Sequence, residues 1–224
     1  MRAFGIFKLL TLSSAVLLGL TACASLDVVG NQSAASFGAV LEALPEKVTK
    51  ASDRWVLIAP DESSYFIWSE DYSKSPLTDI SLRVDAQPFL DAGLDVAKLP
   101  EEYTYSDGTL AIGTKLGDDQ INYKGEPTPL AAYEQLAKRY PDTIGYHAQL
   151  DHFGVTVAEG NVFEWAKDMS TNDKDIVFVL NPQPLIEAGV DPEAVEGWLF
   201  AKVTMDMNGK TVEMEKFLKP FDLK

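Results

Sequence analysis

One cysteine, Cys23, and two histidines, His147 and His152, are all that the 224 residues hold of thiol and imidazole chemistry. A lone cysteine excludes an internal disulfide, so stability must come from a hydrophobic core. Basic residues are scarce as well, 19 Lys and Arg against 34 Asp and Glu. That balance disfavours nucleic acid and anionic membrane surfaces, which both call for clustered positive charge. The chain has no run of about 20 predominantly apolar residues, the length a dedicated membrane span needs. A glycine-rich phosphate loop, a dinucleotide fingerprint and a G-x-S-x-G nucleophile turn are missing too. No cofactor and no resident metal are therefore expected.

What is present starts with Arg2 and Lys8 around a short apolar run from Leu9 to Leu20, followed by "LTAC" at residues 20–23. A basic start, a short apolar stretch and small residues at its end are the layout of an export signal. Leu20-Thr21-Ala22-Cys23 resembles the lipobox of bacterial lipoprotein precursors. The resemblance covers only the first twenty-odd residues, and no family is recognised for the rest of the chain. It implies that residues 1–22 are removed and that Cys23 is acylated as the new first residue. Several acyl chains then hold the protein to a membrane, each buried methylene contributing about 0.8 kcal/mol. Ala24 after the cysteine implies the outer membrane, facing the periplasm, if the host is diderm. Residues 23–33 read as a tether. Loss of Arg2 and Lys8 leaves 17 basic residues against 34 acidic ones, a formal charge of −17.

Beyond the tether the chain repeats itself. "QPFLDAGLD" at residues 87–95 returns as "QPLIEAGVD" at residues 183–191, an offset of 96. "SFGAVLEALP" and "AAYEQLAKRYP" both read as helices, with Phe37 matching Tyr133 and Pro45 matching Pro141, and Thr128 with Pro129 opens the second. "WVLIA" and "YFIW" answer "FGVTV" and "VFEW" as hairpins, with Trp68 matching Trp165. "ISLRVD" alternates as a half-buried strand, and its partner "IVFVLN" is apolar throughout, so it is expected to be covered on both faces. Asp107-Gly108 and Asn208-Gly209 mark a last hairpin in each half. We therefore expect an α+β fold made by tandem duplication, residues 34–125 and 126–224, each copy a helix packed on an antiparallel sheet of about five strands. The repeated phrase reads as a crossover turn closed by Gly93 or Gly189 at positive φ.

A structural device must persist in both copies, whereas a site needs only one, so the shared residues read as scaffold. Phe66 with Trp68 and Phe163 with Trp165 are expected in the core, with Glu164 on the opposite, wet face. On one unbroken strand His147 and His152 would point to opposite faces. The loop "KDMSTNDKD" at residues 167–175 gathers Asp168, Asn172, Asp173 and Asp175, yet lacks the spacing and glycine of a calcium loop and reads as a solvated turn. The expected function is that of a lipid-anchored binding or interaction protein of the bacterial envelope, its ligand between the halves or on a sheet face. The alternatives are a small envelope enzyme using His152 with nearby carboxylates, or a purely structural envelope component.

Overall fold

The computed structural model describes residues 14–15, 24–147, 150–169, 174–207 and 210–223. Cys23, Asn172, Asp173 and the Asn208-Gly209 turn lie outside the described residues. The first copy runs α1 (Ala24–Ala43), β1 (Val48–Ala51), β2 (Arg54–Ile58), β3 (Ser64–Ser69), β4 (Ile80–Asp85), α2 (Gln87–Asp91), β5 (Tyr103–Ser106) and β6 (Thr109–Thr114). The second repeats it as α3 (Pro129–Arg139), β7 (Ile144–His147), β8 (His152–Ala158), β9 (Asn161–Ala166), β10 (Ile176–Leu180), α4 (Gln183–Glu187), β11 (Leu199–Met207) and β12 (Lys210–Phe221). The sheets are ordered β1-β2-β3-β4-β6-β5 and β7-β8-β9-β10-β12-β11, antiparallel throughout, and Ser14–Ala15 adds a two-residue parallel pairing beside β11. The fold is a duplicated α+β unit. Each sheet has six strands instead of five, because β1 ("VTKA") and β7 ("IGYH") are four-residue edges with no apolar alternation to reveal them.

Local chemistry explains the boundaries. Thr128 caps α3 by accepting from the Ala131 N–H at 3.1 Å, with Pro129 in the first turn. Both long helices stop ahead of a proline that opens a 3-10 turn, Pro45–Lys47 or Pro141–Thr143. In β4, Ile80, Leu82 and Val84 are buried and Arg83 and Asp85 exposed, as expected, but Ser81, expected with them on the open face, is buried too; every residue of β10 is buried. The two sheets share one core.

That core is organised about the relation between the copies. Phe66 stacks on its counterpart Phe163 at 4.7 Å with the rings 6° from parallel, and Phe37 meets its counterpart Tyr133 at 4.3 Å. Trp68 and Trp165 flank Phe37 at 5.4 and 5.1 Å. All six side chains are fully buried, as expected for the aromatic pairs. Stacked and edge-on ring pairs contribute about 0.5–1.5 kcal/mol each beyond the area they bury. Among the described residues they also fill the space between the sheets.

The helices are exchanged. α1 of the first copy packs on β7 and β9 of the second, and α3 of the second packs on β3 of the first. Ser36 Oγ donates to the Ala166 carbonyl at 3.1 Å, and Trp68 Nε1 donates to the Pro129 carbonyl at 3.1 Å. α1 and α3 cross antiparallel, with Gly30 so near α3 that a Cβ there would come within 3.3 Å of the Ala137 carbonyl oxygen. The expected tether is therefore corrected. Residues 24–33 are the first half of α1, and its small residues Gly30, Ser33 and Ala34 are buried. Ser33 Oγ and the buried Tyr133 hydroxyl share a hydrogen bond. A small polar stretch reads as a linker from sequence, but here its lack of bulk permits close helix packing.

The repeated phrase has a second purpose besides turning the chain. Gly93 and Gly189 have φ of +103° and +104°, as the crossover reading requires, and Asp95 and Asp191 cap the turns that follow. The two phrases also lie back to back. The Asp95 N–H donates to the Ala188 carbonyl and the Asp191 N–H to the Ala92 carbonyl, both at 2.8 Å. A Cβ on Gly93 would lie 2.8 Å from the Gly189 oxygen, and one on Gly189 would lie 2.9 Å from the Gly93 oxygen. Alanine at either position thus suffers both an unfavourable φ and a backbone collision. Gly93→Ala and Gly189→Ala should each destabilise the protein by more than about 1 kcal/mol in urea denaturation. The double variant should cost less than the sum, since one separation of the phrases accommodates both methyl groups. Single losses below about 0.5 kcal/mol, the range of indifferent surface changes, would show that the contact does not hold the halves.

Candidate functional site

Where the copies agree, the shared residues build the scaffold, so a site is sought where they differ. In the first copy the outer face of the sheet carries the row Thr49, Val56, Ile67 and, two residues along each strand, the row Ala51, Arg54, Ser69. The corresponding rows of the second copy are Gly145, Gly154, Glu164 and His147, His152, Ala166. Five of these six positions exchange the first copy's residues for two glycines, two histidines and an acid. Both histidines of the chain are in this patch.

The patch depends on a hairpin that the sequence disguises. β7 and β8 pair antiparallel with His147 directly opposite His152, so the two imidazoles share a face instead of lying on opposite faces of one strand. Asp151 turns the chain there at φ +52° without a glycine, and its carboxylate accepts a hydrogen bond from the Tyr146 hydroxyl at 2.5 Å. Glu164 stands one strand further in. His147 Nδ1 is 3.2 Å from Glu164 Oε1, and His152 Nδ1 is 3.9 Å from Oε2. Gly154 lies between them in the sheet and presents no side chain, while a Cβ there would crowd Glu164 Cγ at 3.3 Å.

Glu164 is the main correction to the site reading. It was expected on a wet face, yet it is only 6% exposed, as is His152. The His147 side chain is 47% exposed and forms the solvent side of the cluster. Burial works to raise the Glu164 pKa, but the imidazoles of His147 and then His152 override it and hold the carboxyl down to about 2. The hydrogen bond to Glu164 pushes the His147 pKa above its ordinary 6.5, against a smaller effect of burial. His152 Nδ1 is buried without a hydrogen-bond partner. Lys216, from β12, is held below its ordinary value by burial, against the pull of Glu164 and Glu159. Among the described residues no group of three or more His, Cys, Asp or Glu is arranged to hold a metal ion.

Asp175 belongs to the scaffold. It is fully buried, not part of a solvated turn, and it repeats the work of Asp79. Asp79 Oδ2 accepts from the Leu116 N–H and Asp175 Oδ2 from the Leu223 N–H, both at 2.7 Å, which ties the chain after the last strand to each sheet. Lys115 adds its ammonium to Asp79 in the first copy. Two open, polar hollows are also counterparts. One, of about 410 Å3, is lined by Glu159, Gly160, Asn181, Lys202 and Lys216, and the other, of about 400 Å3, by Glu62, Ser63, Asp85, Asp107 and Thr109. Asp61, which also lines the second, pairs with Lys219 at 3.0 Å.

In comparison with known proteins, no family model matches this chain, and neither a curated protein nor a solved structure matches it significantly. The chemistry of the patch must therefore be taken from its own geometry: a buried carboxylate clasped by two imidazoles, one of them open to water.

A definite pH dependence follows. The raised His147 contributes stability that is fully present below 6.5 and lost as pH rises through its folded value. The lowered Glu164 contributes stability that is fully present above 4.5 and lost as pH falls toward about 2. The advantage of the wild type over Glu164→Gln in melting temperature should therefore be largest between pH 4.5 and 6.5, and shrink as pH falls toward about 2 or rises through the folded value of His147. A difference that is constant with pH would mean that the ionic contact contributes nothing.

Proposed function

We propose that this protein is a lipid-anchored, extracytoplasmic binding or interaction protein of the bacterial envelope, held to the membrane through acyl chains on Cys23. The observation that carries the reading is the Leu20-Thr21-Ala22-Cys23 junction, which contains the only cysteine of the chain and closes a short apolar run. Among the described residues no helix is long and apolar enough to cross a membrane. The acidic surface suits exposure to water, and nucleic acid is not an expected partner. In a diderm host, Ala24 after the cysteine directs the protein to the outer membrane, facing the periplasm.

α1 gives the anchor a mechanical consequence. The helix starts at Ala24, directly after the cysteine, and Gly30 already packs against α3. At 1.5 Å per residue, Ala24 lies about 9 Å along the helix from that contact, so little of the chain after the cysteine is left to act as a tether. With the space between the sheets filled by Phe66 and Phe163, the outer sheet faces are where a ligand or partner would meet the protein. The enzyme reading draws on His152 with a neighbouring carboxylate, and Glu164 is that carboxylate. The burial of His152 favours binding over catalysis.

Metabolic labelling with a fatty acid tests the anchor. The wild type should take up label and sediment with membranes, whereas Cys23→Ala should remain unlabelled and appear in the soluble fraction. Equal labelling of both would overturn the anchor and, with it, the envelope placement.

A further inference from the structure

We propose that the His147–Glu164 contact is a proton-operated latch on the edge strand β7: with His147 protonated the strand is held on β8, and with His147 neutral it opens and uncovers the edge of the sheet.

β7 is a short edge strand, with α1 packed against it. It has four residues and its backbone pairs with β8 alone. Ile144 is buried, while Gly145, Tyr146 and His147 are exposed. The Tyr146 ring rests on Phe153 at 5.0 Å, a contact within the β7–β8 pair. His147 is different, because its imidazole passes over the glycine at position 154 to a carboxylate on β9, a strand that the β7 backbone does not touch. The contact therefore pins the edge of the sheet to its interior. The first copy has no such device, with Ala51 and Ile67 at the matching positions.

A buried carboxylate attracts a neighbouring imidazolium more strongly than a neutral ring, since charge-assisted hydrogen bonds are roughly twice as strong as neutral ones. Loss of the proton leaves Glu164 charged and removes the stronger form of the bond. Other charged groups surround the cluster. Lys216 on β12 opposes the positive charge of His147, and Glu159 in turn draws on Lys216. His152 on β8 faces the second carboxylate oxygen. Asp151 in the turn accepts from Tyr146, and Lys167 lies 5.3 Å from the Tyr146 ring. These groups shape the background against which the latch works, and a variant that removes only the acid separates it from them.

Hydrogen–deuterium exchange on the intact protein reads the latch directly. After correction for the intrinsic effect of pH, the amides of Ile144–His147 should exchange several-fold faster at about pH 8 than at about pH 6, each unit of His147 shift being a tenfold change in opening. The amides of Ile176–Leu180, in the middle of the same sheet, should show no such change. Glu164→Gln should abolish the pH response of β7, and so should His147→Gln, whose side chain can still donate but cannot titrate. The second variant serves if the first fails to fold. Equal protection of β7 at both pH values in the wild type, or a full response surviving in His147→Gln, would overturn the proposal.

Discussion

A residue on the axis that relates two copies of a fold must pack against its own counterpart, and few kinds of surface are complementary to themselves. Flat rings are one, as Phe66 on Phe163 shows. Bare backbone is another, and the two glycine phrases use it with reciprocal hydrogen bonds from Asp95 and Asp191. A third is the crossing of α1 and α3, where small residues such as Gly30 let the helices approach closely. Everything else in the molecule hangs from these three contacts. They set the spacing of the sheets, the burial of both tryptophans and the exchange of the helices, and none tolerates enlargement of one partner alone.

The same relation makes the departures from symmetry informative. Asp79 and Asp175 bind the chain after their sheets in the same way, and the hollows beside Ser63 and Gly160 occupy the same place in each copy. Against that background the outer face of the second sheet stands apart. Ile67 is replaced by Glu164, and the bulk of Thr49 and Val56 is stripped to glycine at 145 and 154. An ionisable group has been placed where an apolar one sufficed, at a desolvation cost that the two histidines offset. Such a change has no evident structural motive, since the first copy folds the same topology without it.

Much of the scaffold was legible because duplication prints the same constraints twice. Gly93 and Gly189, the paired tryptophans, the Thr128 cap and the prolines that stop the helices each carry a local physical requirement that survives in the letters. The exchange of helices left no such mark, since Phe37 keeps the same offset from Tyr133 whichever sheet it covers. Residues 24–33 misled for a related reason: small polar residues suit a linker and a tight helix crossing equally well. The site was hidden by its turn. Asp151 does the work expected of a glycine, so the letters left open whether His147 and His152 share one unbroken strand or the chain bends at Asp151, and Glu164 read as solvent-facing because alternation cannot show that two imidazoles cover it.

Helix exchange also governs how the chain can reach its folded state. α1 is made first, but the strands it covers, β7 and β9, emerge more than a hundred residues later, and β3 waits in turn for α3. The core of the first copy packs on the second through Phe66 on Phe163 and Phe37 on Tyr133, so it is completed only when both are in place. Contacts of such long sequence separation slow folding, because loop closure must precede the gain from burial. The two copies should accordingly fold and unfold in one cooperative step about the core they share.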